Sequence, residues 1–233
     1  MVNLVDEAAF KLTESGLKTR AMDPSRISLI DLDIPASAFS EYHVREPVVL
    51  GVKLSEMEKV VSRGKPDDEM VLELDQNASR MIVTFIGSST RKLTMPLVDI
   101  GESELPDPKL QFQAAVEVLA GVIQDGIKDA EMVADKVRFE VKEDALIMTA
   151  EGDKGKTEFT LRKGDKGLLK ISAKEQVRSS FNLKYLSDVL GEAGSGDTVI
   201  INLGEKMPIQ LDFPVADGKG KLRFILAPVV ESD

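Results

Sequence analysis

The chain has 233 residues, 42% of them hydrophobic, which suits one large domain or two of about 100–150 residues with a substantial core. It contains no cysteine, so disulfides, thiol catalysis and Cys-ligated zinc are all excluded, and a reducing cell interior suits it. Forty acidic against thirty basic residues give a net charge of −10, which argues against extensive phosphate binding without forbidding a locally basic face.

In chain order, the opening MVNLVDEAAF lacks a basic-then-apolar leader, and no apolar run approaches the ~18 residues of a membrane span. Period-two runs predict strands at Phe10/Leu12, Leu17/Thr19/Ala21, Ser28/Ile30/Leu32/Ile34 and Met81/Val83/Phe85, with a helix over 54–63. The stretch DIGESELPDPKLQF (99–112) has two prolines, acidic residues and no sustained period, and reads as a linker. A short strand is predicted near 110–115, then a helix over 116–130. That helix places Val116, Leu119, Val122, Ile123, Ile127 and Ala130 on one side. Further strands follow at Phe139/Val141, Leu146/Met148/Ala150, Val199/Ile201/Leu203, Ile209/Leu211/Phe213 and Leu222/Phe224/Leu226, with a helix over 183–192. Gly64, and Gly191 or Gly194, are suited to end the two short helices.

These elements repeat. Phe139 lies 129 residues after Phe10, and at that offset Asp6, Leu17 and Ala21 meet Asp135, Leu146 and Ala150. The register persists without a gap: Leu54, Met57, Val60 and Val61 meet Leu183, Leu186, Val189 and Leu190, and MVLEL (70–74) meets VIINL (199–203). Two tandem copies of one fold are predicted, 1–98 and 111–233, joined by a connector over 99–110. The strand and helix near 110–130 map before Met1 on subtracting 129, so the first copy is expected to lack them, through a late start or through divergence.

Catalytic motifs are wanting. His43 is the sole histidine, so no His-based triad or multi-His metal site can form. Asp31 and Asp33 share a strand face and could hold a divalent metal, although such alternation usually marks a solvated face. PDDE (66–69) and GSGD (194–197) occupy equivalent turns, which argues for structure rather than catalysis, and no phosphate-loop motif occurs. No cofactor, no metal and no enzymatic activity are expected.

RAMDPSRISLIDLDIP (20–35), YLSDVLGEAGSGDTVIINLGEKMPIQLDF (185–213) and LAPVVESD (226–233) resemble the DNA sliding clamps of the proliferating cell nuclear antigen family, in their archaeal form. The likeness covers essentially the whole chain. It implies an α+β DNA-clamp fold, two tandem βα-rich domains with helices lining a ring and sheets outside. Against that pattern, the chain as read from Met1 is expected to lack the first strand and helix, through a late start or divergence, and it has Val229 where the family usually has a basic residue.

The resemblance also implies function: a processivity factor that closes as a homotrimer around duplex DNA without reading sequence. Its partners would be a clamp loader, DNA polymerase, nuclease and ligase, each docking through a PCNA-interacting peptide, inside the cell on DNA and with no membrane role. The matching DNA-facing cations are Lys59, Arg63, Lys65, Lys128 and Lys184. The matching peptide groove comprises Met22, Ile27, Leu29, Leu105, Pro106, Leu110, Pro208, Ile225, Ala227 and Pro228. The subunit interface would pair Arg91, Lys92, Leu93, Thr94 and Met95 on one chain with Thr157, Glu158, Phe159, Thr160 and Leu161 on the next. Alternatives are a peptide-docking module without DNA, or one subunit of a heterotrimeric clamp.

Overall fold

The computed structural model describes residues 3–101, 105 and 107–230. The first copy begins with an antiparallel trio, β1 (Glu7–Thr13), β2 (Gly16–Met22) and β3 (Ser28–Pro35), followed by β4 (Val48–Lys53). Helix α1 (Leu54–Val61) follows, then the meander β5 (Glu69–Leu74), β6 (Arg80–Ile86) and β7 (Thr90–Pro96). The second copy opens with β8 (Ala114–Leu119) and α2 (Ala120–Glu131). It continues through β9 (Lys136–Val141), β10 (Ala145–Gly152), β11 (Gly155–Arg162), β12 (Leu168–Ala173) and β13 (Val177–Asn182). Helix α3 (Leu183–Leu190) precedes β14 (Thr198–Leu203), β15 (Ile209–Val215) and β16 (Gly220–Leu226).

The offset of 129 carries β4, α1 and β5 onto β13, α3 and β14 residue for residue. Both copies even build one turn alike. Lys65 N–H donates to the Asp68 carboxylate at 3.1 Å while Asp68 N–H returns to Lys65 O, and Gly194 and Asp197 do the same at 2.7 Å. Each carboxylate completes its own turn, a structural role.

Among the described residues three sheets result: β12-β8-β14-β15-β16-β3-β2-β1-β4, β11-β10-β9-β13, and β5-β6-β7. The nine-stranded sheet crosses the repeat boundary where β16 pairs antiparallel with β3, from Lys221 opposite Asp33 to Leu226 opposite Ser28. By the duplication, β16 corresponds to β7 and β3 to β11. The join between copies therefore uses the two strand types whose counterparts, β7 and β11, lie at sheet edges.

The larger core gathers Val116, Ile123, Phe139, Phe181, Leu186 and Phe224, and reaches into the first copy through Ala8, Ala21 and Ile30. A smaller one holds Leu50, Val52, Met81, Val83, Phe85 and Met95. The difference traces to β8 and α2. In the second copy β8 pairs with β14, and Val199, Ile201 and Leu203 are fully buried. Their equivalents Met70 and Leu72 are 43% and 42% exposed, and β5 has no described strand on its outer side.

Two expectations need correction. Val116 and Leu119 belong to β8, not to a helix: Val116 and Val118 are buried while Glu117 and Leu119 are half-buried, a period of two that branched valines favour. Both short helices stop two residues early, in a tightening turn where Gly64 N–H reaches Val61 O and, 129 residues on, Ala193 N–H reaches Leu190 O.

Candidate docking and nucleic-acid interfaces

The groove residues fall into a register. On one face of the nine-stranded sheet Met22 lies opposite Leu29, Leu29 opposite Ile225, and Ile225 opposite Gln210. This apolar row runs across β2, β3 and β16 and ends at the polar Gln210 on β15. Leu29 and Ile225 are buried and form its floor, Met22 is half-buried, and Ile27 is 38% exposed. Ala227 N–H donates to Ile27 O at 2.8 Å, extending the β16–β3 ladder and bringing Ala227 and Pro228 beside Ile27. Val229 N–H then donates to Ser180 O at 2.7 Å, so the tail is held across the second copy. Pro208 is half-buried in the turn before β15. In the connector Leu105 and Leu110 are half-buried, and Pro106 lies outside the described residues.

Two residues along each strand, on the same face, the apolar row gives way to charge: Arg20, Asp31, Arg223 and Asp212 stand side by side. Arg20 Nη2 donates to Asp31 Oδ2 at 2.7 Å, and Arg223 Nη2 donates to the same oxygen. Burial alone would raise the Asp31 carboxyl, but hydrogen bonds and charge from Arg20 and Arg223 outweigh it and hold it below the ordinary range. The connector's Asp107 reaches both arginines, at 3.2 Å from Arg20 and 3.0 Å from Arg223. Next in step, Lys18 pairs with Asp33 at 2.7 Å. Asp31 and Asp33 are thus committed to cations, and among the described residues no cluster of three acidic or histidine groups could hold a metal. His43 is exposed on the surface near Glu41.

The start of the connector is fixed by contact rather than charge. Val98 N–H donates to Gly51 O at 2.9 Å, and a Cβ on Gly51 would lie 2.0 Å from Val98 O. Only glycine lets this segment cross β4 so closely.

On the strand edges, Leu93 and Met95 turn toward the small core while Lys92 and Thr94 are exposed. Arg91 is spoken for within the chain: it pairs with Asp68, donates to Arg63 O at 2.8 Å, and lies 5.2 Å from the centre of the Phe85 ring. Leu161 is buried, Thr157, Phe159 and Thr160 are half-buried, and Glu158 is exposed. Phe159 packs on α2, where Gly126 leaves only 3.0 Å between its would-be Cβ and the ring.

The five cations are all exposed, on or just after helices: Lys59 on α1, Arg63 and Lys65 after it, Lys128 on α2 and Lys184 on α3. Three have acidic neighbours on their own helix: Lys59 with Glu56 at 2.9 Å, Lys128 with Asp125 at 3.8 Å, and Lys184 with Asp188 at 2.9 Å. The cleft between α2 and α3, about 110 Å³, is lined by Lys128, Gln124 and Ser187. Exposed ion pairs of this kind are weak and exchange readily for a phosphate.

Sequence reading missed Arg20, Arg223, Asp107, Asp23 and Tyr185. Asp107 lies 87 residues from Arg20 and 116 from Arg223, so no local pattern announces the cluster.

A duplicated α+β scaffold with an interdomain sheet, matching free edges and a connector whose Asp107 reaches the charged row beside an apolar one defines a clamp-type protein. Its residues 1–104 match the proliferating cell nuclear antigen N-terminal domain, and residues 106–229 match the C-terminal domain. Similar proteins include DNA polymerase sliding clamp 1 of Thermococcus kodakarensis, 43% identical, and the DNA polymerase sliding clamp of Thermococcus gammatolerans, 44% identical. Each alignment covers 98% of this chain and 91% of the relative. The solved structure of PCNA from Thermococcus kodakaraensis superposes with a TM-score of 0.94 at 30% identity, over 98% of this chain and 92% of that one. That of A. fulgidus PCNA, bound to the C-terminal region of FEN-1, gives 0.88 at 31% identity, over 100% and 93%. The chain belongs to the proliferating cell nuclear antigen family, and its function is that of a DNA polymerase sliding clamp that docks partner proteins.

Proposed function

We propose that three copies close head to tail, β7 of each chain pairing antiparallel with β11 of the next, into a ring around duplex DNA. The observation that carries this is the β16–β3 junction: the same strand types already join the two halves within one chain. Repeating that junction between chains would satisfy the open edges and alternate intra- and intermolecular joints around a closed cycle. Duplex DNA would then be held by enclosure. Lys59, Arg63, Lys65, Lys128 and Lys184 would supply weak, sequence-independent phosphate contacts that leave sliding unhindered. The net charge of −10 is compatible with this because no tight interface is needed.

The apolar row with Ile27, Leu105, Leu110, Pro208, Ala227 and Pro228 suits a short amphipathic segment laid as a helix in a groove. The relative from A. fulgidus bound to the C-terminal region of FEN-1 supports a nuclease as one partner. Polymerase, ligase and clamp loader would compete for the same groove. The reading places the protein inside the cell on DNA, with its chemistry supplied by what it carries.

Light scattering tests the ring directly: the expected mass is that of three chains of 25.5 kDa. Loader-dependent retention on closed circular DNA is expected alongside it. A single-chain mass that persists in the presence of sister clamp chains would overturn the proposal.

A further inference from the structure

The connector could have been attached to the body by apolar contact alone. Instead it carries one carboxylate, Asp107, onto a pair of arginines contributed by different halves of the molecule. Arg20 comes from β2 in the first copy and Arg223 from β16 in the second, and each uses the same nitrogen, Nη2, for Asp31 beneath and Asp107 above. Asp107 is the outer of the two carboxylates that these guanidinium groups share.

The cluster stands two residues along the strands from the Met22–Leu29–Ile225 row, a step of about 7 Å. Leu105 and Leu110 lie two and three residues from Asp107, within a chain reach of about 7–10 Å. Fixing Asp107 therefore limits how far both leucines can stray from the apolar row. The two layers differ in shielding: Asp31 has 19% of its side chain exposed, Asp107 60%. Mobile ions, with a screening length of about 8 Å at physiological salt, reach the upper contacts far more readily than the lower ones.

We propose that Asp107 is the positioning residue of the docking groove. It is a salt-sensitive pin that presets the connector's distance from the sheet and so preorganises the apolar rim for a partner segment. This rests on the docking reading above. A pinned rim loses less freedom when a segment binds, which slows dissociation. The lower pairs with Asp31 keep the two arginines in place whether or not the pin is engaged.

The test compares the full-length chain with Asp107→Asn and Asp107→Glu in two measurements. Hydrogen exchange of connector peptides spanning 99–113 at low and high salt reads the pin itself. Dissociation of a labelled synthetic peptide copying the C-terminal region of A. fulgidus FEN-1 reads the groove. Asp107→Asn is expected to raise connector exchange about tenfold at low salt and to remove most of its salt dependence. It should also speed peptide release about three- to tenfold, with assembly mass and melting temperature unchanged. Asp107→Glu is expected to restore most of both. Equal exchange in the original chain and Asp107→Asn at low salt overturns the pin, and raised exchange with an unaltered release rate overturns its role in the groove. Failure of the original chain to bind the peptide would remove the docking reading instead, leaving the exchange comparison to judge the pin.

Discussion

Asp23 does more with one side chain than any other residue of the β2–β3 turn. Its carboxylate accepts from the backbone N–H groups of Ser25, Ile27 and Ser28, from the Ser28 hydroxyl, and from Tyr185 of α3 at 3.2 Å. The turn behind the groove and the second copy's helix are thereby joined through a group that is 4% exposed. Burial would raise this carboxyl, yet the donors from Ser28, Ser25 and Ile27 outweigh it and lower it below the usual value. A depressed folded-state pKa contributes stability in full above the unfolded value near pH ~4, lost as pH falls through the folded value. Asp31 is shifted in the same direction and adds to the same window. Asp23→Asn keeps one acceptor oxygen but turns an amide N–H toward the remaining donors. We expect it to cost about 2 kcal/mol at neutral pH and to flatten the fall in stability below about pH 4. Urea unfolding at a series of pH values decides the matter, and parallel pH profiles for the two chains would refute it. This residue was legible only as part of a matched motif, because its hydrogen-bonding depends on a turn and on a helix 162 residues away. Arg26, in the same turn, takes a positive φ of 59°, a backbone cost the Asp23 hydrogen bonds help to sustain.

The elements were legible where their apolar period was clean and the duplication supplied a second copy. β1, β2, β9 and β10 carry an alternation that binds each to its fellow across the offset. β13, VRSSFN, did not stand out because it buries Ser179 and Ser180 beside Val177 and Phe181, with the Ser179 hydroxyl donating to Met207 O at 3.0 Å. β12 is short and its pairing shifts register between Leu168 and Lys170, which breaks the period a reader looks for. β4 is interrupted by Gly51, whose reason is visible only once Val98 lies across it. At this scale two substitutions are informative. Gly51→Ala forces Val98 away and is expected to destabilise the chain by about 2–3 kcal/mol while loosening the connector's first residues; an unchanged melting temperature would refute the close crossing. Leu72→Lys on β5 removes an exposed apolar group from an open edge and adds an edge charge. It should lower concentration-dependent aggregation and leave the melting temperature within about 2 °C, because the side chain is 42% exposed as it stands. Light scattering at rising concentration checks this, and unchanged aggregation argues against β5 as the adhesive edge.

At the scale of the whole molecule, enclosure and affinity make opposite demands on the charge distribution. A protein that stayed on DNA by contact alone would gather unpaired cations, and its binding would fall with salt by nearly one power per phosphate contact. Here Lys59, Lys128 and Lys184 each stand beside an acidic group of their own helix, on a chain of net charge −10. The proposed ring therefore predicts that equilibrium contact and retention come apart. Replacing Lys59, Lys128 and Lys184 together by Ala should weaken low-salt binding to a short linear duplex about three- to tenfold and flatten its salt slope. Loaded on a closed circle, the same variant should dwell as long as the original chain, because leaving requires a β7–β11 junction to open rather than a phosphate contact to break. Linearising the circle should release both at once by way of the ends. A dwell time on closed circles that shortens in step with linear-duplex affinity would mean that charge, not closure, keeps the chain on DNA.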